Sequence, residues 1–260
     1  WSEDGKSFYT LEHNNETNGV DIVLNDIETS QKTIVISASQ LIPEGQTTPI
    51  IIENYIWSAD NTKLMIYTNS KRVWRLNTKG DYYVLNLTNG HLLKLGQGLE
   101  PSEMMFAKFS PDGEKVAYVY KNNIYVENFH GDHSHRTQLT FDGSDIIING
   151  NFDWVYEEEF NCRDGFRWSP DGKHIAYWQS DTEGTGWFDI INNVDSLYPT
   201  IQRFPYPKAG TTNSAVKVGY VSADGGPTTW INIPGDPRNN YIPRMDFIPE
   251  SNELFIQQMN

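Results

Sequence analysis

The segment WSPDGKHIAYWQ, residues 168–179, decides the fold, because closely similar segments recur along the chain. Each copy begins with an aromatic residue, passes through an Asp-Gly type of turn and ends in alternating apolar residues. The other copies are WSEDGKSFYT at 1–10, WSADNTKLMIYT at 57–68, FSPDGEKVAYVY at 109–120 and a degenerate FIPESNELFIQQ at 247–258. Proline presets φ and glycine accepts positive φ, so these residues predict a tight turn between two strands.

The spacing of the copies predicts propeller blades. They return roughly every 50–60 residues, which leaves room for about four strands in each unit. A β-sandwich is the alternative, but it does not explain the same turn at the same place in every unit. We therefore expect an all-β fold of β-propeller blades with four antiparallel strands each. About four to five such blades fit in the chain, fewer than closed propellers usually have. Residues 1–260 would then be a partial propeller domain within a longer polypeptide.

The last interval is longer than the others, and the excess lies within residues 181–215. This region includes FPYPKAGTTNS at 204–214, where two prolines and a glycine disfavour regular strand pairing. We expect an ordered loop or an extended arm there, and not a strand.

Composition excludes several classes of function. The chain has 20 basic and 34 acidic residues, for a formal net charge of −14. Nucleic acid as a partner is disfavoured, because phosphates are neutralised by Lys and Arg. Docking to an anionic membrane surface is disfavoured for the same reason. Cys162 is the only cysteine, so an intrachain disulfide is excluded.

No complete reaction centre is visible in the sequence. A Gly-x-Ser-x-Gly nucleophile elbow, a His-Glu-x-x-His zinc motif and a Gly-rich phosphate loop are all absent. We expect neither a cofactor nor a metal. The cluster of His130, Asp132, His133 and His135 could bind zinc. The preferred interpretation is a solvated turn between two strands.

The acidic stretch DWVYEEEF, residues 153–160, is the main candidate site. In a strand, Glu158 would point away from both of its neighbours. On a helical turn successive residues diverge by about 100°, so Glu158 and Glu159 could converge on one ligand. Such a pair can hold an ammonium group through charge-assisted hydrogen bonds. A calcium site and a solvated acidic corner remain open alternatives on the residues alone.

Three segments together resemble a known family. DWVYEEEF, RWSPDGKHIAYWQSD at 167–181 and YPTIQRFPYPKAG at 198–210 are similar to the propeller domain of dipeptidyl peptidase IV and its bacterial relatives, in the prolyl oligopeptidase clan. The resemblance implies an eight-bladed propeller that caps an α/β-hydrolase domain with a Ser-Asp-His triad. It also implies a serine peptidase that releases N-terminal Xaa-Pro or Xaa-Ala dipeptides. The catalytic domain would be absent from this chain, which alone should be inactive.

The resemblance also suggests roles for individual residues. Glu158 and Glu159 match the two glutamates that bind the substrate α-ammonium in that family. In KRVWRL, residues 71–76, Arg75 follows Trp74 at the position of an arginine that orients the first carbonyl of the substrate. Glu157 is expected to be structural, bracing the turn through hydrogen bonds. Between Phe160 and Trp168 the chain is about one residue shorter than those enzymes, so no role is transferred to Asn161 or Arg163.

The aromatic residues of the stretch have two interpretations. Trp154, Tyr156 and Phe160 are expected to pack the turn against its blade; walls of a substrate pocket are the alternative. In both cases they support the acidic residues.

Two classes of function follow from these observations. The first is a substrate-binding and gating propeller that acts with a C-terminal α/β-hydrolase domain of the same polypeptide on peptides with a free N-terminus. A homodimer and a periplasmic, secreted or cell-envelope location also follow from the resemblance. The second is a non-catalytic propeller that serves as a protein-interaction module of an inactive homologue. Acylaminoacyl and prolyl oligopeptidase relatives are a third option, but they do not need paired glutamates to bind a free amine.

Overall fold

The computed structural model describes residues 1–2, 4–130 and 133–260, and the side chains of His130 and His133 also lie outside the described part. The chain forms two compact units. The first unit comprises Trp1–Met105, Asp112–Glu114 and Asn128–His135. The second unit comprises Phe106–Pro111, Lys115–Glu127 and Arg136–Asn260.

The first unit contains a three-stranded sheet, β1-β2-β3, and four strands of a larger antiparallel sheet, which neighbour one another in the order β4-β5-β6-β7. Their strands are β1 (Ser7–Asn14), β2 (Gly19–Asp26), β3 (Lys32–Ile36), β4 (Asn54–Trp57), β5 (Lys63–Val73), β6 (Leu76–Asn86) and β7 (Leu92–Lys94). A short 3-10 helix, Ala38–Leu41, follows β3. Buried side chains from both sheets share one core, which includes Ile22, Ile36, Leu64 and Leu85.

Four further strands lie next to one another in chain order. They are β8 (Met104–Phe109), β9 (Lys115–Tyr120), β10 (Asn123–His130) and β11 (His133–Gln138). Strand β9 is buried on both faces, because Ala117 and Val119 are as fully buried as Val116 and Tyr118.

The second unit is organised around an antiparallel sheet in the order β13-β14-β17-β18, with β12 paired to the far end of β14. Among the described residues of this unit, one α-helix, α1, lies between β12 and β13, and two separate hairpins, β15–β16 and β19–β20, also belong to the unit. The strands are β12 (Ile147–Asn149), β13 (Phe166–Trp168), β14 (His174–Asp181), β15 (Trp187–Asn192), β16 (Thr200–Pro205), β17 (Ala215–Ser222), β18 (Thr229–Trp230), β19 (Tyr241–Phe247) and β20 (Leu254–Met259). The helix α1 is Trp154–Phe160. The prediction of an all-β fold with antiparallel, propeller-type sheets is confirmed.

The repeated turn depends on its serine as well as on proline and glycine. In the copy at 168–179, the Ser169 N–H bonds to the His174 carbonyl at 2.9 Å, and the His174 N–H bonds to Ser169 Oγ at 2.9 Å. The Ser169 hydroxyl also donates to Asp171 Oδ1 at 2.6 Å. Serines at the same place in the other three full copies, Ser2, Ser58 and Ser110, make the same backbone and Oγ bonds five residues on. Ser and Asp form hydrogen bonds with backbone groups that the turn leaves without partners, and this explains why both residues recur in the repeat.

The prediction for residues 181–215 is correct in one respect and wrong in another. The segment does form an arm, but the arm is a hairpin of two strands, β15 and β16, paired from Trp187↔Pro205 to Asn192↔Thr200. Aromatic and β-branched residues in β15 favour strand pairing, and they outweigh the prolines, which lie at the end of β16 and beyond it.

Among the described residues, no helix is long and apolar enough to cross a bilayer.

Candidate functional site

The acidic stretch forms a helix because its first residue caps it. Asp153 has an extended backbone, with φ −74° and ψ 173°, and its Oδ1 accepts the Tyr156 N–H at 3.0 Å. The helix ends at Asn161, whose left-handed backbone has φ 56°. The Cys162 N–H then bonds back to the Tyr156 carbonyl at 3.0 Å. Of the two backbone alternatives for the three glutamates, the helical turn is therefore the one that the chain adopts.

The helix separates the three glutamates by burial. Glu157 is 6% exposed, Glu158 is half-buried and Glu159 is exposed. Burial raises the pKa of Glu157, the Arg163 guanidinium opposes that shift, and the Glu158 carboxylate adds to it. The side chain that accepts a backbone N–H at the start of the helix is that of Asp153 and not that of Glu157. Glu157 thus differs from its two neighbours in environment, and its bracing role stays a prediction.

Backbone hydrogen bonds of two glycines join the two ends of the segment 150–165, which contains α1. The Gly165 N–H bonds to the Gly150 carbonyl at 2.9 Å, and the Trp178 N–H bonds to the Gly165 carbonyl at 3.0 Å. A Cβ atom on Gly165 would lie 2.6 Å from the carbonyl carbon of Gly150. Only glycine permits this approach, so both ends of the segment 150–165 are held against β14 at one point.

The aromatic residues of the stretch have different surroundings. Tyr156 is 1% exposed, stacks on Phe152 with ring centroids 5.5 Å apart, and accepts the Ile242 N–H at its hydroxyl oxygen at 3.0 Å. Burial raises the pKa of the Tyr156 hydroxyl. Phe160 packs on the Tyr241 ring at 5.0 Å. Tyr156 and Phe160 therefore lie in the core that joins the helix to β19.

Trp154 lies on the other side of the helix and lines a cleft of about 490 Å³. Its ring centroid is 4.3 Å from that of Tyr206, in the loop after β16. Phe188 and Tyr241 also line the cleft, and Glu159 and Lys208 are its charged residues. Of the three glutamates, Glu159 is the one that borders this space.

Arg75 belongs to the first unit, whereas the glutamates belong to the second. Residues 74–75 form the two-residue turn between β5 and β6, directly beyond the pair Val73↔Leu76. Trp74 has φ 50°, and its carbonyl accepts the Arg72 Nε–H at 3.0 Å. Arg75 is exposed at this tip. The structure thus places Arg75 at a turn and not within a strand.

The metal alternatives gain no support from the described residues. There, no group of three or more His, Cys, Asp or Glu side chains is arranged to hold an ion. The zinc alternative depends on His130, Asp132 and His133, which lie outside the described part as residues or as side chains.

Some residues that shape the site were missed in the sequence. Asp153 could have been recognised as a cap, because an aspartate just before an apolar helical run is an N-terminal signal. Ser214, Ile242 and Arg244 touch the helix or its cap from distant segments, and no local pattern marks them.

Comparison with known proteins assigns one family to most of the chain. The family model described as "Dipeptidyl peptidase IV (DPP IV) N-terminal region" matches residues 58–260. Dipeptidyl aminopeptidase B of Saccharomyces cerevisiae is 30% identical over 225 residues, which is 85% of this chain and 26% of that protein. Prolyl endopeptidase FAP of Homo sapiens is 34% identical over 199 residues, which is 76% of this chain and 25% of that protein.

Among solved structures, the dipeptidyl peptidase 4 of Porphyromonas gingivalis superposes with a TM-score of 0.84 at 29% identity. The match covers 99% of this chain and 35% of that one. The chain thus spans about a quarter of the length of the curated relatives it matches. The relatives' names include both a dipeptidyl aminopeptidase and an endopeptidase, so the mode of cleavage has to be argued from the site.

Proposed function

The chain belongs to the dipeptidyl peptidase IV family, and we propose that it is the substrate-binding and gating part of a serine dipeptidyl peptidase. The single observation that most supports this is the separation of the glutamates on α1. Glu158 and Glu159 are on the accessible side of a capped helix, while Glu157 is buried.

Glu158 and Glu159 would bind the α-ammonium group of a peptide. Glu159 borders a partly apolar cleft and Glu158 precedes it on the same helix. Carboxylates offer an ammonium group charge-assisted hydrogen bonds, which are roughly twice as strong as neutral ones. Only the first residue of a peptide has this ammonium group. Binding it fixes the distance from the chain end to the cleaved bond, so that a dipeptide is released.

Arg75 would supply a permanent cation to the substrate, as the resemblance implies. A guanidinium remains protonated at any working pH and can bind a carbonyl oxygen or a carboxylate in a fixed geometry. Its place on a two-residue turn between long strands limits the freedom of its backbone. This supports a positioning role for Arg75 toward the first carbonyl of the substrate.

The chemistry of bond cleavage would come from a C-terminal α/β-hydrolase domain of the same polypeptide. The curated relatives are about four times as long as the matched region, which leaves room for such a domain. We propose a periplasmic, secreted or cell-envelope location for the whole enzyme, by analogy with the family.

A homodimer is proposed on the basis of the arm β15–β16. Large apolar side chains are exposed along this hairpin and its tip, including Ile191, Leu197 and Tyr198. Exposed apolar side chains grouped in this way are typical of a protein contact. Analytical ultracentrifugation of the full-length protein would test this, with Leu197→Asp and Tyr198→Asp expected to shift it toward the monomer.

The proposed function predicts that cleavage requires a free amino group on the substrate, and this can be tested. Full-length protein should cleave Gly-Pro p-nitroanilide and leave its N-acetylated form uncleaved, because the acetyl group removes the charge that Glu158 and Glu159 bind. Equal cleavage of both substrates would contradict the proposal. If neither is cleaved, the protein-interaction module becomes the better account.

A further inference from the structure

Three successive residues of β19 contact the glutamate helix or the residue Cys162 just after it. The Ile242 N–H donates to the Tyr156 hydroxyl at 3.0 Å. The Pro243 carbonyl accepts the Cys162 thiol at 3.2 Å. Arg244 then reaches the Phe160 carbonyl from Nη1 at 3.0 Å. A strand more than 80 residues away in sequence therefore holds the second half of the helix.

Arg244 is placed where a helix needs a cation. The last carbonyl groups of a helix lack partners within it and have a partial negative charge. Arg244 Nη1 lies 3.0 Å from the Phe160 carbonyl, 2.6 Å from the Pro243 carbonyl and 3.4 Å from Cys162 Sγ. The guanidinium thus joins the end of α1 to the backbone of β19.

The bond to Phe160 acts on the adjacent glutamate. Glu159 immediately precedes Phe160, so the bond from Arg244 to the Phe160 carbonyl restrains the backbone of the turn from which Glu159 projects. The other end of α1 is held independently by Asp153, which accepts from Ser214 and Tyr156. Without Arg244, the first turn stays capped, but the last turn, which presents Glu158 and Glu159, loses the contact that holds its final carbonyl to β19.

We propose that Arg244 is a positioning residue for the ammonium-binding pair Glu158 and Glu159. This inference rests on the proposed function of that pair. Arg244 contacts no substrate; it keeps the last turn of α1 in the orientation in which both carboxylates meet one ammonium group.

A purely structural role for Arg244 makes a different prediction. Arg244 is exposed, and exposed charged contacts contribute little to stability. If its effect were on folding alone, its removal would lower the fraction of active molecules and leave their affinity for substrate unchanged. A positioning role instead weakens the binding of free-amine substrates by correctly folded molecules.

The test uses full-length Arg244→Ala and Arg244→Lys, with Lys173→Ala as control. Lys173 is an exposed cation at the β13–β14 turn, and its removal changes the net charge of the second unit equally. Active sites are titrated with a serine-directed phosphonate, and kcat and KM are measured on Gly-Pro p-nitroanilide. We expect Arg244→Ala to raise KM about tenfold with kcat per titrated site within about twofold. Arg244→Lys should restore part of the loss, and Lys173→Ala should leave KM unchanged.

An unchanged KM in Arg244→Ala, with or without fewer titrated sites, would overturn the inference. Glu159→Ala in the same series separates this failure from failure of the proposed function. If Glu159→Ala raises KM and Arg244→Ala does not, only the role of Arg244 is wrong. If neither changes KM, the ammonium-binding role of the pair is wrong as well.

Discussion

Ser214 donates a hydrogen bond from its hydroxyl to Oδ2 of Asp153 at 2.6 Å. The two side chains are 0% and 2% exposed, and they come from segments 61 residues apart. Asp153 caps the glutamate helix, and Ser214 directly precedes β17. This contact ties the start of the helix to the central sheet of the second unit.

Replacing Asp153 with Asn should change how stability depends on pH. Burial raises the pKa of Asp153 above its ordinary value of 3.8, and hydrogen bonds from Ser214 and Tyr156 only partly oppose this. The folded state therefore binds the proton more tightly than the unfolded state. That contribution is complete below pH 3.8 and is lost as the pH rises through the folded pKa. The free energy of unfolding of the wild type, relative to Asp153→Asn, should fall as the pH rises from about 4.

Asp171→Asn provides a control of opposite sign. Hydrogen bonds from Ser169 and the Lys173 N–H lower the pKa of the exposed Asp171 carboxyl. Its contribution is present above pH 3.8 and is lost on acidification, so the wild type should gain stability relative to this variant as the pH rises. Urea unfolding between about pH 2 and 8 measures both differences, because the Asp171 difference develops below pH 3.8. Parallel pH curves for the wild type and Asp153→Asn would disprove the buried-carboxyl argument.

Gly165→Ala should destabilise the second unit. The added methyl group would lie 2.6 Å from the Gly150 carbonyl carbon, where only backbone movement can relieve the clash. Overpacking of this kind costs about 1–3 kcal/mol in the free energy of unfolding. Gly186→Ala is the matched control, because the nearest atom to its added Cβ is 3.7 Å away. Denaturant unfolding should separate the two variants, and equal stabilities would show that the Gly150–Gly165 contact is dispensable.

Ser169→Ala should lower the free energy of unfolding more than the replacement of an exposed serine does. It removes the acceptor for the His174 N–H and the donor to Asp171, in a side chain that is 1% exposed. A buried donor left without a partner costs about 1–3 kcal/mol. Ser251→Ala, which removes only the exposed acceptor for the Glu253 N–H, should change stability by less than about 0.5 kcal/mol. A loss of similar size in both variants would count against a special role for the repeated serine.

The repeat could be interpreted from sequence because its causes are local. Turn residues and alternating apolar residues lie within about ten positions of each other, so the blades were predicted without any long-range information. The arm β15–β16 was expected to lack strands because its prolines were given more weight than the aromatic and β-branched residues of Trp187–Asn192.

The site was less accessible to prediction from sequence. The choice between helix and strand for the glutamates was left open, although Asp153 is a recognisable cap. Trp74 at φ 50° could not be foreseen, since bulky residues rarely adopt that conformation. The contact between Arg244 and Phe160 joins residues 84 positions apart, and its existence depends on how β19 packs against the helix.

The central claim is that Glu158 and Glu159 bind the substrate ammonium group. Its most direct test is kcat/KM of full-length Glu158→Ala and Glu159→Ala on Gly-Pro p-nitroanilide. Glu183→Ala, an exposed glutamate of the same unit, is the control. Loss of a charge-assisted hydrogen bond predicts at least a tenfold fall for each of the first two, about 1.4 kcal/mol, and no change for the control. A fall of less than tenfold in both, with correctly folded protein, would contradict the account.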